Sequence, residues 1–168
     1  VELAGKTMAV VGFGRIGRQV GELAHAFGME VLAVDPRPGA APAYAPFAWA
    51  SLEQAFARAD ALSLNCALTA ENREMVNAGL LSLMKPSAFL LNAARGPLVD
   101  EAALAEALNA GKLAGAALDV VAEEPIREDN PLRSARNCLL TPHMAWATLE
   151  ARKRLMREAA ENLRSFLA

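Results

Sequence analysis

Short runs of β-branched and leucine-rich residues recur along this chain, and each is followed by a stretch whose apolar positions repeat with helical spacing. That alternation is the sequence form of βαβ units feeding a parallel sheet. Six strands are predicted, at Thr7 to Gly12, Glu30 to Val34, Ala61 to Asn65, Ala88 to Asn92, Gly115 to Asp119 and Cys138 to Thr141. They are apolar throughout, as expected of strands covered on both faces. Helices fill the intervals, the clearest beginning after Gly14, at Ser51, near Asp100 and at Thr148; Ser51 and Asp100 offer side-chain oxygens suited to N-caps. The last helix runs to the terminus. It gathers Ala151, Leu155, Met156, Ala159, Leu163, Phe166 and Leu167 into one stripe, with Arg152, Lys153, Arg157, Glu161 and Arg164 elsewhere on its wheel, and so is expected to pack rather than catalyse. Between the second strand and the helix at Ser51, the segment Pro36 to Pro46 holds four prolines and reads as a surface loop. The predicted architecture is a doubly wound parallel α/β sheet in three αβα layers.

Composition narrows the picture. The chain has 168 residues, of which 54% are hydrophobic, enough for one well-packed domain over residues 1–168. A formal net charge of -2 provides no electrostatic footprint for nucleic acid or anionic lipid, so neither is an expected partner. No apolar run is long enough to span a bilayer, and the opening Val-Glu-Leu-Ala-Gly-Lys lacks the basic-then-apolar order of a secretory signal. Cys66 and Cys138, far apart and outside any C-x-x-C spacing, suit a reducing compartment, and the expected location is the cytoplasm.

The first strand runs into Gly12-Phe13-Gly14-Arg15-Ile16-Gly17. Three glycines at these offsets serve a tight turn, close approach of backbone to a pyrophosphate, and close helix-to-strand packing. The helix that follows presents unpaired N–H groups and the positive end of its dipole to an anion, so Arg15 is optional help. Asp35 ends the second strand, about twenty residues further on, where a carboxylate meets the ribose hydroxyls of a dinucleotide. In that context the glycines predict a Rossmann-type fold that binds NAD. Arg37, two residues beyond Asp35, keeps NADP open, because a guanidinium softens the repulsion of a 2′-phosphate.

Three ionisable residues lie at or just past the carboxyl ends of later strands, the edge where open α/β sheets hold their ligands. Arg95 precedes Gly96-Pro97, and its planar fork suits a substrate carboxylate; it reads equally as a surface arginine in a turn. Glu124, beside Glu123 and before Pro125, reads as a candidate site acid or, more simply, as part of a solvated loop. His143, in Thr141-Pro142-His143, reads alone as a structural histidine and, beside the other two, as a proton donor near neutral pH.

Taken together these stretches resemble one family. Val11 to Gly17, Leu64 to Thr69, Met84-Lys85-Pro86, Asn92 to Asp100, Leu118-Asp119-Val120 and Thr141-Pro142-His143 occur in the order seen in the D-isomer-specific 2-hydroxyacid dehydrogenases, and most nearly in their glycerate dehydrogenase/hydroxypyruvate reductase group. The resemblance implies that Arg95 binds the carboxylate of a small 2-hydroxy or 2-keto acid, that His143 is the general acid/base, and that Glu124 is its hydrogen-bonding partner. It implies cofactor contacts from Gly12, Gly14, Arg15, Ile16, Gly17, Asp35 and Cys66, and contacts to the nicotinamide end from Ala93, Ala94 and Asp119. It also implies a homodimer. Ala67 and Val121 depart from the family's common proline and aromatic at those places, and neither supplies chemistry. Trp146 resembles the glycerate dehydrogenase group and reads also as simple packing or an interface anchor. The family's substrate domain is built mainly from residues that precede such a segment, so the expectation is a cofactor half that is catalytically incomplete alone. Transcriptional corepressors resemble the same family, which leaves a non-enzymatic NAD-sensing interaction module as the rival.

Overall fold

A computed structural model describes residues 2–167. Seven strands form one all-parallel sheet in the order β3-β2-β1-β4-β5-β6-β7. They are β1 Thr7–Val11, β2 Glu30–Val34, β3 Phe47–Trp49, β4 Ala61–Leu64, β5 Phe89–Asn92, β6 Gly115–Leu118 and β7 Cys138–Leu140. The helices are α1 Arg15–Ala26, α2 Leu52–Arg58, α3 Ala78–Leu83, α4 Glu101–Asn109 and α5 Leu149–Leu167. The strand order reverses direction between β2 and β4, on either side of β1, and the carboxyl edge at that reversal is where doubly wound sheets hold ligands.

The predicted caps form. Ser51 Oγ accepts from Gln54 N while the Gln54 side chain accepts from Ser51 N, a reciprocal box, and Asp100 Oδ1 accepts from Ala103 N at 3.0 Å. Asp60, entering β4, accepts from Thr7 N at 2.8 Å and Lys85 Nζ at 3.0 Å, tying the start of β1 to the turn before β5. That contact accounts for Lys85 as a structural residue.

Alternate strand positions divide the core. Ala9, Val11, Leu32, Leu62, Leu64, Leu90 and Leu118 pack with α2, α3 and α4 on one face; Val10, Val31 and Ala33 pack with Phe13, Ala24 and Met29 under α1 on the other. Three predictions are corrected here. The strands number seven rather than six, because Phe47–Trp49 adds an edge strand beside β2 through Val31, Leu32 and Ala33. Covering on both faces holds only for the β1–β2 half. Across β4 to β7, the positions facing the α1 side, Ser63, Leu91, Ala117 and Leu139, remain partly or largely exposed, and Leu139 keeps 63% of its surface. Finally, α5 does not pack. None of its residues is buried, and Met156 and Phe166 are 70% and 86% exposed. Its amphipathic stripe is real, but the described residues supply no surface that buries it.

Candidate active site and cofactor cradle

The glycine loop between β1 and α1 has the three properties required of a pyrophosphate cradle. Gly12 sits at φ +91°, a conformation that L side chains rarely adopt, and a Cβ there would stand 2.5 Å from Cys66 N. A Cβ on Gly17 would run into the carbonyl of Gly12, so α1 lies against β1 only because that atom is missing. A Cβ on Gly14 would meet nothing within 4 Å, and this open side is where a phosphate needs room. Gly14 is also the N-cap of α1, which carries no side-chain cap and no acid in its first turn. The helix end therefore keeps its positive character for an anion.

Asp35 is held against this loop. Its Oδ2 accepts from Phe13 N at 3.0 Å and its Oδ1 from Arg37 N at 3.0 Å, which fixes the plane of the carboxylate and leaves lone pairs for two hydroxyls. Burial pushes the Cys66 thiol above its ordinary pKa, and the neighbouring Asp35 charge adds to this, so Cys66 is a neutral wall rather than a nucleophile. A cavity of about 210 Å³ is lined by Ile16, Cys66, Ala93, Ala94 and Arg95 among others. Ile16, 69% exposed, is an apolar side chain standing free beside it.

The segment carrying Arg95 is shaped by a buried amide. Asn92, 2% exposed, accepts from Ala94 N at 3.0 Å and donates to Arg95 O at 2.9 Å, turning the chain sharply after β5. Among the described residues the exposed Arg95 guanidinium donates only to Ala94 O, at 2.6 Å, which leaves most of its fork available.

His143 and Glu124 meet. His143 Nδ1 lies 2.9 Å from Glu124 Oε2, with both side chains partly exposed. A carboxylate only accepts, so this contact places a proton on Nδ1 and leaves Nε2 as the atom free to exchange one. The pair borders a cavity of about 250 Å³ with Val121, Ile126 and Asp119. Arg95 belongs to the other cavity, and a third, of about 220 Å³, shares Ala93 with the first and Asp119 with the second. The predicted residues thus line a continuous belt along the carboxyl ends of the strands, without direct contact between Arg95 and His143.

His143 has φ +53°, unusual for a side chain of its size, and its surroundings hold it there. Its N–H donates to Asp119 O at 2.8 Å, and its carbonyl accepts from Trp146 Nε1 at 3.0 Å. The Asp119 carboxylate, 8% exposed, accepts from Thr141 Oγ1 at 2.5 Å, Met144 N at 2.9 Å and Ala145 N at 2.8 Å. Burial opposes its ionisation, but the Thr141 hydroxyl, the two amides and nearby His143 outweigh that, holding its pKa below the ordinary carboxylate value. Asp119 is therefore an organiser of the His143 loop as well as a candidate cofactor contact. Thr141 and Trp146 share in that organising work, as Asn92 does for the Arg95 turn. Sequence reasoning did not single out Asn92 or Thr141; the available signal was a polar residue closing an apolar strand.

A parallel sheet with an anion-ready glycine loop and a pinned carboxylate beside it defines a dinucleotide-binding domain. Residues 1–145 match the family described as D-isomer specific 2-hydroxyacid dehydrogenase, NAD binding domain, and the chain belongs to it. It is 45% identical over 167 residues to a hydroxypyruvate reductase of Blautia hydrogenotrophica, covering 99% of this chain and 52% of that protein. A D-lactate dehydrogenase from Aquifex aeolicus, solved with NAD and lactic acid, superposes with a TM-score of 0.87 at 31% identity, covering 99% of this chain and 55% of that one. An acyclic imino acid reductase solved with NADPH and D-Arg gives 0.87 at 35%, covering 99% and 52%. The chain spans about half the length of these relatives.

Proposed function

We propose that this domain is the cofactor half of a D-2-hydroxyacid dehydrogenase that interconverts a small 2-keto acid, of the hydroxypyruvate kind, and its D-2-hydroxy acid. The observation that carries the reading is the 2.9 Å contact of His143 and Glu124 on the same sheet edge as the glycine loop. NAD would lie with its pyrophosphate over Gly12 to Gly17, assisted by Arg15 and Ile16 and walled by Cys66, its ribose at Asp35, and its nicotinamide toward Ala93, Ala94 and Asp119. When bound, it supplies or receives the hydride. Arg95 would bind the substrate carboxylate through its free fork, orienting the keto carbon. His143 would deliver a proton from Nε2 to the keto oxygen, and Glu124 would stabilise the charged ring before transfer and orient it afterwards. A substrate domain from outside this chain would close the second wall and exclude water.

Asp35 favours NAD over NADP by repelling a 2′-phosphate. The names of the relatives favour an enzyme over an interaction module. A cytoplasmic homodimer completes the reading, supported by two unpaired cysteines and by exposed Leu23 on α1 and Phe27 just past its end; sedimentation at micromolar concentration tests the assembly. Joining this chain to the substrate domain of the Blautia relative tests the chemistry. In an active chimera, Arg95→Gln should raise KM for hydroxypyruvate on the order of 100-fold, the cost of a bidentate charged pair, with NADH affinity unchanged. An unaltered KM would remove Arg95 from the site.

A further inference from the structure

The stretch from Asp119 to Asn130, between β6 and the turn that begins at Pro131, carries Glu124 and has little regular structure of its own. Something must hold it where Glu124 meets His143. Glu101, the first residue of α4, reaches both arms of that loop. Its Oε1 accepts from Ala122 N at 2.7 Å, and its Oε2 accepts from Asn130 Nδ2 at 2.8 Å. Asn130 Oδ1 in turn accepts from Leu132 N at 2.9 Å, and Leu132 is sunk in the core at 1% exposure. Between the two staples lie Glu123 to Asp129, with Glu124 among them. At the other end of the segment leading into α4, Gly96 fits against the same loop, for a Cβ there would run into the Val121 carbonyl and stand 2.5 Å from Ala122 N. One short stretch, Arg95 to Glu101, thus bears the candidate carboxylate ligand at its start and grips the loop of the histidine's partner at its end.

We propose that Glu101 is a positioning residue of the site, stapling the Glu124 loop at Ala122 and Asn130 so that Glu124 is held against His143. The proposal rests on the reading of Glu124 and His143 as a working pair. The bland role for Glu101 is that of an acid in the first turn of α4, favourable to the helix end and nothing more. The two roles separate in a charge swap. Glu101→Gln keeps an acceptor for Ala122 N but turns an NH₂ toward the Asn130 NH₂, and Asn130 can answer only by giving up Leu132. Asn130→Asp leaves the acid on α4 but sets two carboxylates face to face, while still accepting from Leu132 N. The double variant restores a single N–H···O contact at unchanged net charge.

The chain contains two histidines, so the imidazole ¹⁵N spectrum at one fixed pH near neutrality reads His143 directly, with His25 as an internal control. Glu124→Gln is the reference for a lost partner. Each single variant should move the His143 resonances most of the way to that reference and leave His25 in place, and the double variant should return His143 to its wild-type position. A helix-end role would leave His143 unmoved in Asn130→Asp and would not be rescued in the double variant; either result overturns the proposal. If a single variant fails to fold, the double variant still decides, since only a restored staple gives a wild-type His143 signal. Should Glu124→Gln itself leave His143 unmoved, the working-pair reading fails instead.

Discussion

Asp119→Asn should destabilise the domain by about 3 kcal/mol at neutral pH, and that loss should shrink in acid. The magnitude follows from the three donors that the carboxylate serves. An asparagine oxygen in the place of Oδ1 can still accept from Thr141 Oγ1 and Met144 N, but its NH₂ then faces Ala145 N–H. Two buried donors opposed cost roughly 1–3 kcal/mol, and replacing a charged by a neutral acceptor weakens each remaining bond by roughly 0.5–1 kcal/mol. For a domain of this size the sum corresponds to a fall in Tm of about 6–12 °C. Because the folded pKa of Asp119 is depressed from its ordinary 3.8, its contribution is fully present above the unfolded value and disappears as pH falls through the folded one. Urea unfolding of both proteins from about pH 7 down the acid limb measures the gap directly, since other carboxyls titrate alike in the two. A gap below about 1 kcal/mol at neutrality, or one that does not narrow below about pH 3, would refute the view that Asp119 ties down the His143 loop through its charge.

Two other perturbations probe the frame. Gly17→Ala drives a methyl into the Gly12 carbonyl, and despite the roughly 1 kcal/mol helix gain from alanine it should cost about 2 kcal/mol net and weaken NADH binding more than tenfold; full affinity by titration calorimetry would show that the loop has slack. Removing residues 149–168 should change Tm by no more than about 2 °C in scanning calorimetry, because α5 buries none of its side chains, whereas a loss above about 5 °C would mean that the helix packs in solution.

Much of this arrangement was legible in the residues, for identifiable reasons. β1, β2 and β4 to β7 are apolar runs bounded by turn residues, and the glycine offsets are set by steric needs that leave a fixed spacing. β3 escaped because three residues, Phe47 to Trp49, directly after a proline-rich loop are too few to show a period. The behaviour of α5 escaped for a different reason: a stripe records that a helix has an apolar face, not which body covers it. The Glu124–His143 contact spans 19 residues of sequence and came from resemblance, since nothing local couples them. The work of Asp119 and Glu101 was hidden for a related reason, as their partners are largely backbone amides contributed by distant loops, which have no residue signature.

The central claim is that the Gly12 to Gly17 loop and Asp35 form an NAD site within this chain. Fluorescence titration with NADH and with NADPH, following Trp49 and Trp146, tests it most directly when run on the wild type and on Asp35→Ala. The account predicts saturable binding with NADH the tighter ligand, and a preference that collapses in Asp35→Ala. Failure of both cofactors to saturate, or tighter binding of NADPH to the wild type, would contradict it.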